Sequence, residues 1–199
     1  MRERDIPEEQ MTPEVRDALA RMADENALLR AALSETRGRL GELEDSADSD
    51  PLTGLANERR LRRELDRVVS HTNRHGEPAA LLSIEIAGLA ALAARHGQIA
   101  CDAALMHVAR LLKGLIRTSD VAGRIGEGGF LLLLDHLDSD SAIETGDRIA
   151  RFIIQNELDL GGSTVALQAN VAVATILSGD SAEDVLRRAE RNLERLKQF

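Results

Sequence analysis

From Gly123 to Asp135 the chain reads GRIGEGGFLLLLD, a glycine-dense turn between two apolar runs. Such a turn reads as a β-hairpin, and it sets what the flanking segments must do. The spacing of apolar residues predicts helices over 57–73, 99–116, 141–157 and 181–197, with strands over 79–86 and 164–175. Strands and helices interleave around the hairpin, so the expected class is α/β, a mixed sheet covered by helices.

Composition narrows the function. The 199 residues are 43% hydrophobic, enough for one core and an appendage. No run approaches about 18 apolar residues, and the N-terminal MRERDIPEEQ is neither apolar nor poor in acids. The expectation is a soluble cytoplasmic protein that does not engage a membrane. A net charge of −9 and 2% aromatic residues, with no Trp or Tyr, argue against a nucleic-acid partner. A few local arginines can still hold a small anion. Cys101 has no ligand cluster near it in sequence, and His71, His75, His96, His107 and His136 lack metal spacing. The arginines from Arg59 to Arg67 read as a solvated helix face.

A second pattern occupies the N-terminal part. Thr12-Pro13-Glu14 is a helix start. Beyond it Leu19, Asn26, Leu33 and Leu40 fall on one heptad ladder, and Val15, Met22 and Leu29 on the other. This is the pattern of a coiled coil, in which an Asn at an a position favours a parallel dimer in one register. The acidic, turn-prone EDSADSDP (44–51) reads as the boundary. The expected organisation is a flexible 1–11, a dimerising helix over 12–45 and a globular domain over 46–199.

The run DPLTGLANERRL, Asp50 to Leu61, resembles the motif that opens GGDEF domains, the diguanylate cyclase family. The hairpin RIGEGGF and the flanking segments follow in that family's order over about residues 50–199. The resemblance implies a five-stranded mixed sheet flanked by helices, of nucleotide-cyclase type, preceded here by the long helix. It also implies chemistry in which two GTP-loaded domains join their nucleotides into cyclic di-GMP with divalent metals held by carboxylates. Glu85 stands where the family has the first metal-binding Asp, and its extra methylene displaces the oxygens on a scale where about 1 Å costs about 100-fold in rate. Alignment of the hairpin signature puts Gly128 and Gly129 under its two acidic letters. Glu127 lies one residue early, which in an extended hairpin turns it to the other face. Ala93 replaces the base-reading Asn, Asp102 keeps the second base contact, and Lys197 aligns with a phosphate-contacting lysine. These residues read as a vestigial active site without metal or cofactor.

A further motif is intact. Arg117-Thr-Ser-Asp120 matches the R-x-x-D by which many GGDEF domains bind their product away from the catalytic centre, and Arg148 is the equivalent of an arginine that completes the site in relatives. The expected function is a catalytically inactive receptor for cyclic di-GMP that signals through a coiled-coil homodimer to a protein partner. The alternatives are a nucleotide-independent interaction scaffold, a weak cyclase using Glu85 with Glu127, and GTP binding without turnover through Asp102 and Lys197.

Overall fold

The computed structural model describes residues 12–197, apart from the side chains of 37, 38 and 40–46. The expected flexible segment 1–11 and the Leu40 side chain lie outside the described residues. The chain divides into two units between Ala47 and Asp48.

The first unit is helix α1 (Pro13–Asp48) up to its last residue. Thr12 caps it, accepting from Val15 N at 3.4 Å through Oγ1 and from Arg16 N at 3.0 Å through its carbonyl. Leu19, Met22, Leu29 and Leu33 are exposed. The helix ends at Asp48, inside the acidic segment 44–51 that reads as the boundary, three residues past the expected 12–45. The reason is tertiary: in the second unit the Asp48 carboxylate accepts from Arg59 at 2.6 Å and is ion-paired with Arg63, and its carbonyl accepts from Asn57 N at 2.8 Å. Those two arginines are therefore structural rather than merely solvated.

The second unit runs α2 (Glu58–His75), β1 (Ala79–Ala87), α3 (Leu89–His96), α4 (Gln98–Leu115), β2 (Val121–Ile125), β3 (Gly129–Leu134), α5 (Ser139–Gln155), β4 (Leu158–Asp159), β5 (Thr164–Val165), β6 (Gln168–Ile176) and α6 (Ala182–Leu196). Its main sheet has the order β2-β3-β1-β6 and every pairing in it is antiparallel. The expected α/β class holds, but the sheet has four strands rather than five, and β4 with β5 forms a separate hairpin. The parallel element is reduced to a bridge between Ala56 and Gly123. The helix expected over 99–116 is α4; α3 was not among the expected helices, and Gly97, at φ 79°, separates the two.

Alternation along β1 and β3 builds two cores. Ala80, Leu82, Ile84, Phe130, Leu132 and Leu134 point toward α4 and α5, where Val108, Leu112, Ile149 and Ile153 are buried. Leu81, Leu131 and Leu133 point the other way, onto Leu61, Leu65 and Val68 of α2 and Val185 of α6. On this second face the period of two brings Ser83 and Glu85 to the C-terminal half of β1, where burial begins to fall. Glu85 is thus placed where the core ends.

Candidate functional site

Glu85 is paired across the β1–β3 ladder with Gly129 and across the β1–β6 ladder with Asn170. These three residues, the turn Gly126–Glu127–Gly128, the start of α3 and the inner face of α6 line a cleft of about 690 Å³. Glu85 and Glu127 share this cleft, whereas Ala93 and Asp102 are not among its lining residues. Asp102 instead accepts from Gln98 Nε2 at 3.2 Å on its own helix. Lys197, at the C-cap of α6, is ion-paired with Glu85.

The residues present do not fit a divalent metal. The Glu85 carboxylate already has a cation in Lys197, and position 128 has no side chain. A Cβ built on Gly128 would lie 2.5 Å from Leu89 Cδ1, so an apolar side chain fills the space in which a carboxylate stem would start. A Cβ on Gly129 would meet the Ile125 carbonyl oxygen at 2.9 Å. Among the described residues no group of three or more His, Cys, Asp or Glu side chains is arranged to hold a metal ion.

The opening motif supports the turn from below. Asp50 Oδ1 accepts from Thr53 N at 2.8 Å and Thr53 Oγ1 at 2.7 Å, and Asp50 Oδ2 is 3.3 Å from Arg124 Nη1. Arg124 Nη2 reaches the Glu127 carbonyl at 3.1 Å. Burial pushes the Asp50 carboxyl up, but the Thr53 hydrogen bonds and the Arg124 charge outweigh it and hold the group below the usual range. The Asp50–Arg124 link is a structural tie that the sequence reading left unassigned.

Arg117, Asp120 and Arg148 come together. All three line one shallow pocket of about 40 Å³ with Asp135, Leu137 and Thr145. Asp120 Oδ2 accepts from Arg117 N at 2.9 Å, and Asp120 N donates to Arg117 O at 3.1 Å, which closes the turn and fixes Arg117 at its start. Among the described residues neither guanidinium, of Arg117 or of Arg148, forms an ion pair. Two unpaired forks beside a carboxylate suit an anionic ligand that also carries N–H donors.

The histidines are less scattered than their sequence positions suggested. His71 packs on His75 with ring centroids 4.6 Å apart and edge-on to His136 at 6.0 Å. Both His71 and His136 approach Glu77. His71 and His75 lie one turn apart on α2, whereas no local spacing signals that His136, on the loop after β3, meets them. Cys101 is a buried packing residue whose Sγ is 3.2 Å from the Leu89 carbonyl.

Comparison with known proteins bears on this arrangement. The family profile described as "Diguanylate cyclase, GGDEF domain" matches residues 47–199. The diguanylate cyclase TpbB of Pseudomonas aeruginosa is 27% identical over 215 aligned positions, covering 100% of this chain and 49% of TpbB. The chain thus spans no more than about half the length of the curated relatives compared here. Among solved structures, the diguanylate cyclase SiaD of P. aeruginosa, in complex with its activator SiaC, superposes with a TM-score of 0.79 at 24% identity, over 93% of this chain and 71% of SiaD. The coiled coil and GGDEF domain of DgcB from Caulobacter crescentus, in complex with c-di-GMP, gives 0.79 at 22% identity, over 91% of this chain and 94% of that one. With the family profile matching over most of its length, this chain belongs to the GGDEF domain family of diguanylate cyclases.

Proposed function

We propose that the protein is a catalytically inactive GGDEF-family signalling module that binds cyclic di-GMP at Arg117, Asp120 and Arg148 and signals through a dimer of α1. The observation that carries this reading is the convergence of two unpaired arginines and one carboxylate on a single pocket. A guanidinium fork grips a guanine edge or a phosphate, and a carboxylate accepts from guanine N1 and N2. The pocket is shallow, so the dinucleotide lies across it rather than inside it. DgcB, which shares the fold and combines it with a coiled coil, was solved with c-di-GMP bound, and this supports the choice of ligand.

Inactivity is supported by the large cleft. Phosphoryl transfer needs charge balance over the triphosphate. Here Glu85 is ion-paired with Lys197, and position 128, where the family signature has a carboxylate, is a glycine facing Leu89. Among the described residues no helix is long and apolar enough to cross a membrane. The exposed Leu19, Met22, Leu29 and Leu33, with Asn26 on the same ladder as Leu19 and Leu33, support a parallel two-stranded α1 coil as the output element. SiaD has a protein activator, and a protein partner for α1 follows the same logic.

Titration calorimetry with cyclic di-GMP tests the reading. Wild type should bind at micromolar concentration, and Arg117→Ala and Arg148→Ala should each weaken binding by about 10-fold or more, the scale of a charge-assisted hydrogen bond. Equal affinity in all three proteins would refute it. Formation of cyclic di-GMP from GTP with Mg²⁺ or Mn²⁺ would refute inactivity.

A further inference from the structure

The pocket that holds Arg117 and Arg148 has a carboxylate in its wall. Asp135 follows the last residue of β3, and its charge opposes any anion that the two arginines attract. Directly after it comes His136, at the junction of two loops. His136 Nε2 is 3.9 Å from Asp135 Oδ2, and His136 Nδ1 is 3.0 Å from Glu77 Oε2. The same Glu77 oxygen is 3.5 Å from His71 Nδ1. It is nevertheless a buried atom that accepts no hydrogen bond in this arrangement.

The backbone here is held in place. His136 takes a left-handed φ of 54°, its N–H donates to Asp135 Oδ1 at 3.1 Å, and Leu137 N donates to Pro78 O at 2.9 Å. This backbone places the imidazole between the two carboxylates. The titratable groups around it are Glu77 from the α2–β1 loop, His71 with His75 behind it from α2, and Asp135 from its own loop. Asp138, two residues on, is committed to capping α5 through Ser141 N at 2.9 Å.

A neutral imidazole has one N–H and can serve only one of its two carboxylate neighbours, whereas imidazolium has two and carries a charge. We infer that His136 is a proton-linked positioning residue of the Arg117–Arg148 pocket, whose protonated form joins Glu77 to Asp135, neutralises the acidic wall and tightens the hold on an anionic ligand. The inference rests on reading that pocket as the cyclic di-GMP site. The sign follows from charge. With the imidazole protonated, Asp135 loses its net effect on the pocket and affinity rises. The phosphodiesters and guanines of the ligand do not titrate along with the imidazole, so the change belongs to the protein.

The experiment is calorimetry with cyclic di-GMP at about pH 5.8 and about pH 7.8. Wild type should bind about threefold to fivefold tighter at the lower pH, the scale of a solvent-exposed charge pair. His136→Asn suits the left-handed backbone, since Asn tolerates positive φ, and should bind equally at both. Asp135→Asn keeps the oxygen that accepts from His136 N and should bind at both pH values as tightly as wild type does in acid. A flat wild-type response, or a response that persists in both variants, overturns the inference and leaves the receptor reading intact. Absence of wild-type binding at both pH values overturns the two together.

Discussion

Lys197, at the end of α6, neutralises Glu85 in the middle of the cleft. The two side chains are 40% and 36% exposed, so water screens the pair and it contributes less than about 1 kcal/mol to stability. Lys197→Met should lower the urea-unfolding free energy by no more than that. The difference should vanish at about 1 M salt, where the Debye length is about 3 Å. A loss that is large and salt-independent would mean that Lys197 holds α6 by packing rather than by charge.

The Gly128–Leu89 approach means that Leu89 must give way to the side chain that the family signature carries there. Gly128→Asp places a Cβ 2.5 Å from the terminal Cδ1 of half-exposed Leu89, and turning the leucine aside costs about 0.5–1.5 kcal/mol. Leu89→Ala in the same chain should recover part of that cost, because it empties the contested space. Denaturant unfolding of the two single variants and the double variant measures the coupling. Strict additivity would show that the leucine swings away freely.

Much of this was legible in the residues. The glycine turn and its apolar flanks marked the β2–β3 hairpin, and helical periodicity marked α2, α4 and α6, because those signals are local. Asp50, Thr53 and Asn57 belong to the run that carries the family resemblance, and the structure shows them making a turn and a helix cap. Arg117, Asp120 and Arg148 were singled out together and line one pocket. What escaped depends on distant partners. The extension of α1 from 45 to 48 is tied to arginines 11 and 15 residues beyond Asp48, which no local signal announces. The short β4–β5 hairpin, with two residues in each strand, carries no period to detect. His136 meets His71 and Glu77 only because two loops at the same end of β1 and β3 are hydrogen-bonded at Leu137 and Pro78.

Asp48 should set part of the acid sensitivity of the domain. Hydrogen bonds from Arg63 and then Arg59 hold its carboxyl below the usual range. For a group whose folded value is depressed, stabilisation is fully present above the unfolded carboxylate value of about 3.9 and is lost as pH falls through the folded value. Asp48→Asn should therefore be less stable than wild type at neutral pH, with the gap closing as pH drops below about 4. Urea melts across this range check it. A constant gap would place the effect in side-chain packing.

The exposed stripe on α1 predicts association. Leu19, Met22, Leu29 and Leu33 are between 39% and 65% exposed, and a helix carrying such a ladder in water gains by burying it against a second copy. In a parallel dimer Leu29→Glu and Leu33→Glu each place like charges at facing core positions, and both should shift the full chain to monomer in analytical ultracentrifugation. Asn26→Leu acts in the opposite direction, raising the thermal stability of the dimer while relaxing the register that a buried Asn enforces. The melting temperature of wild type should also rise with protein concentration, as dissociation is linked to unfolding of the coil. A wild type that sediments as a monomer at tens of micromolar, unchanged by the glutamate substitutions, would remove the coil as the output of the domain and leave α1 to a partner of another kind.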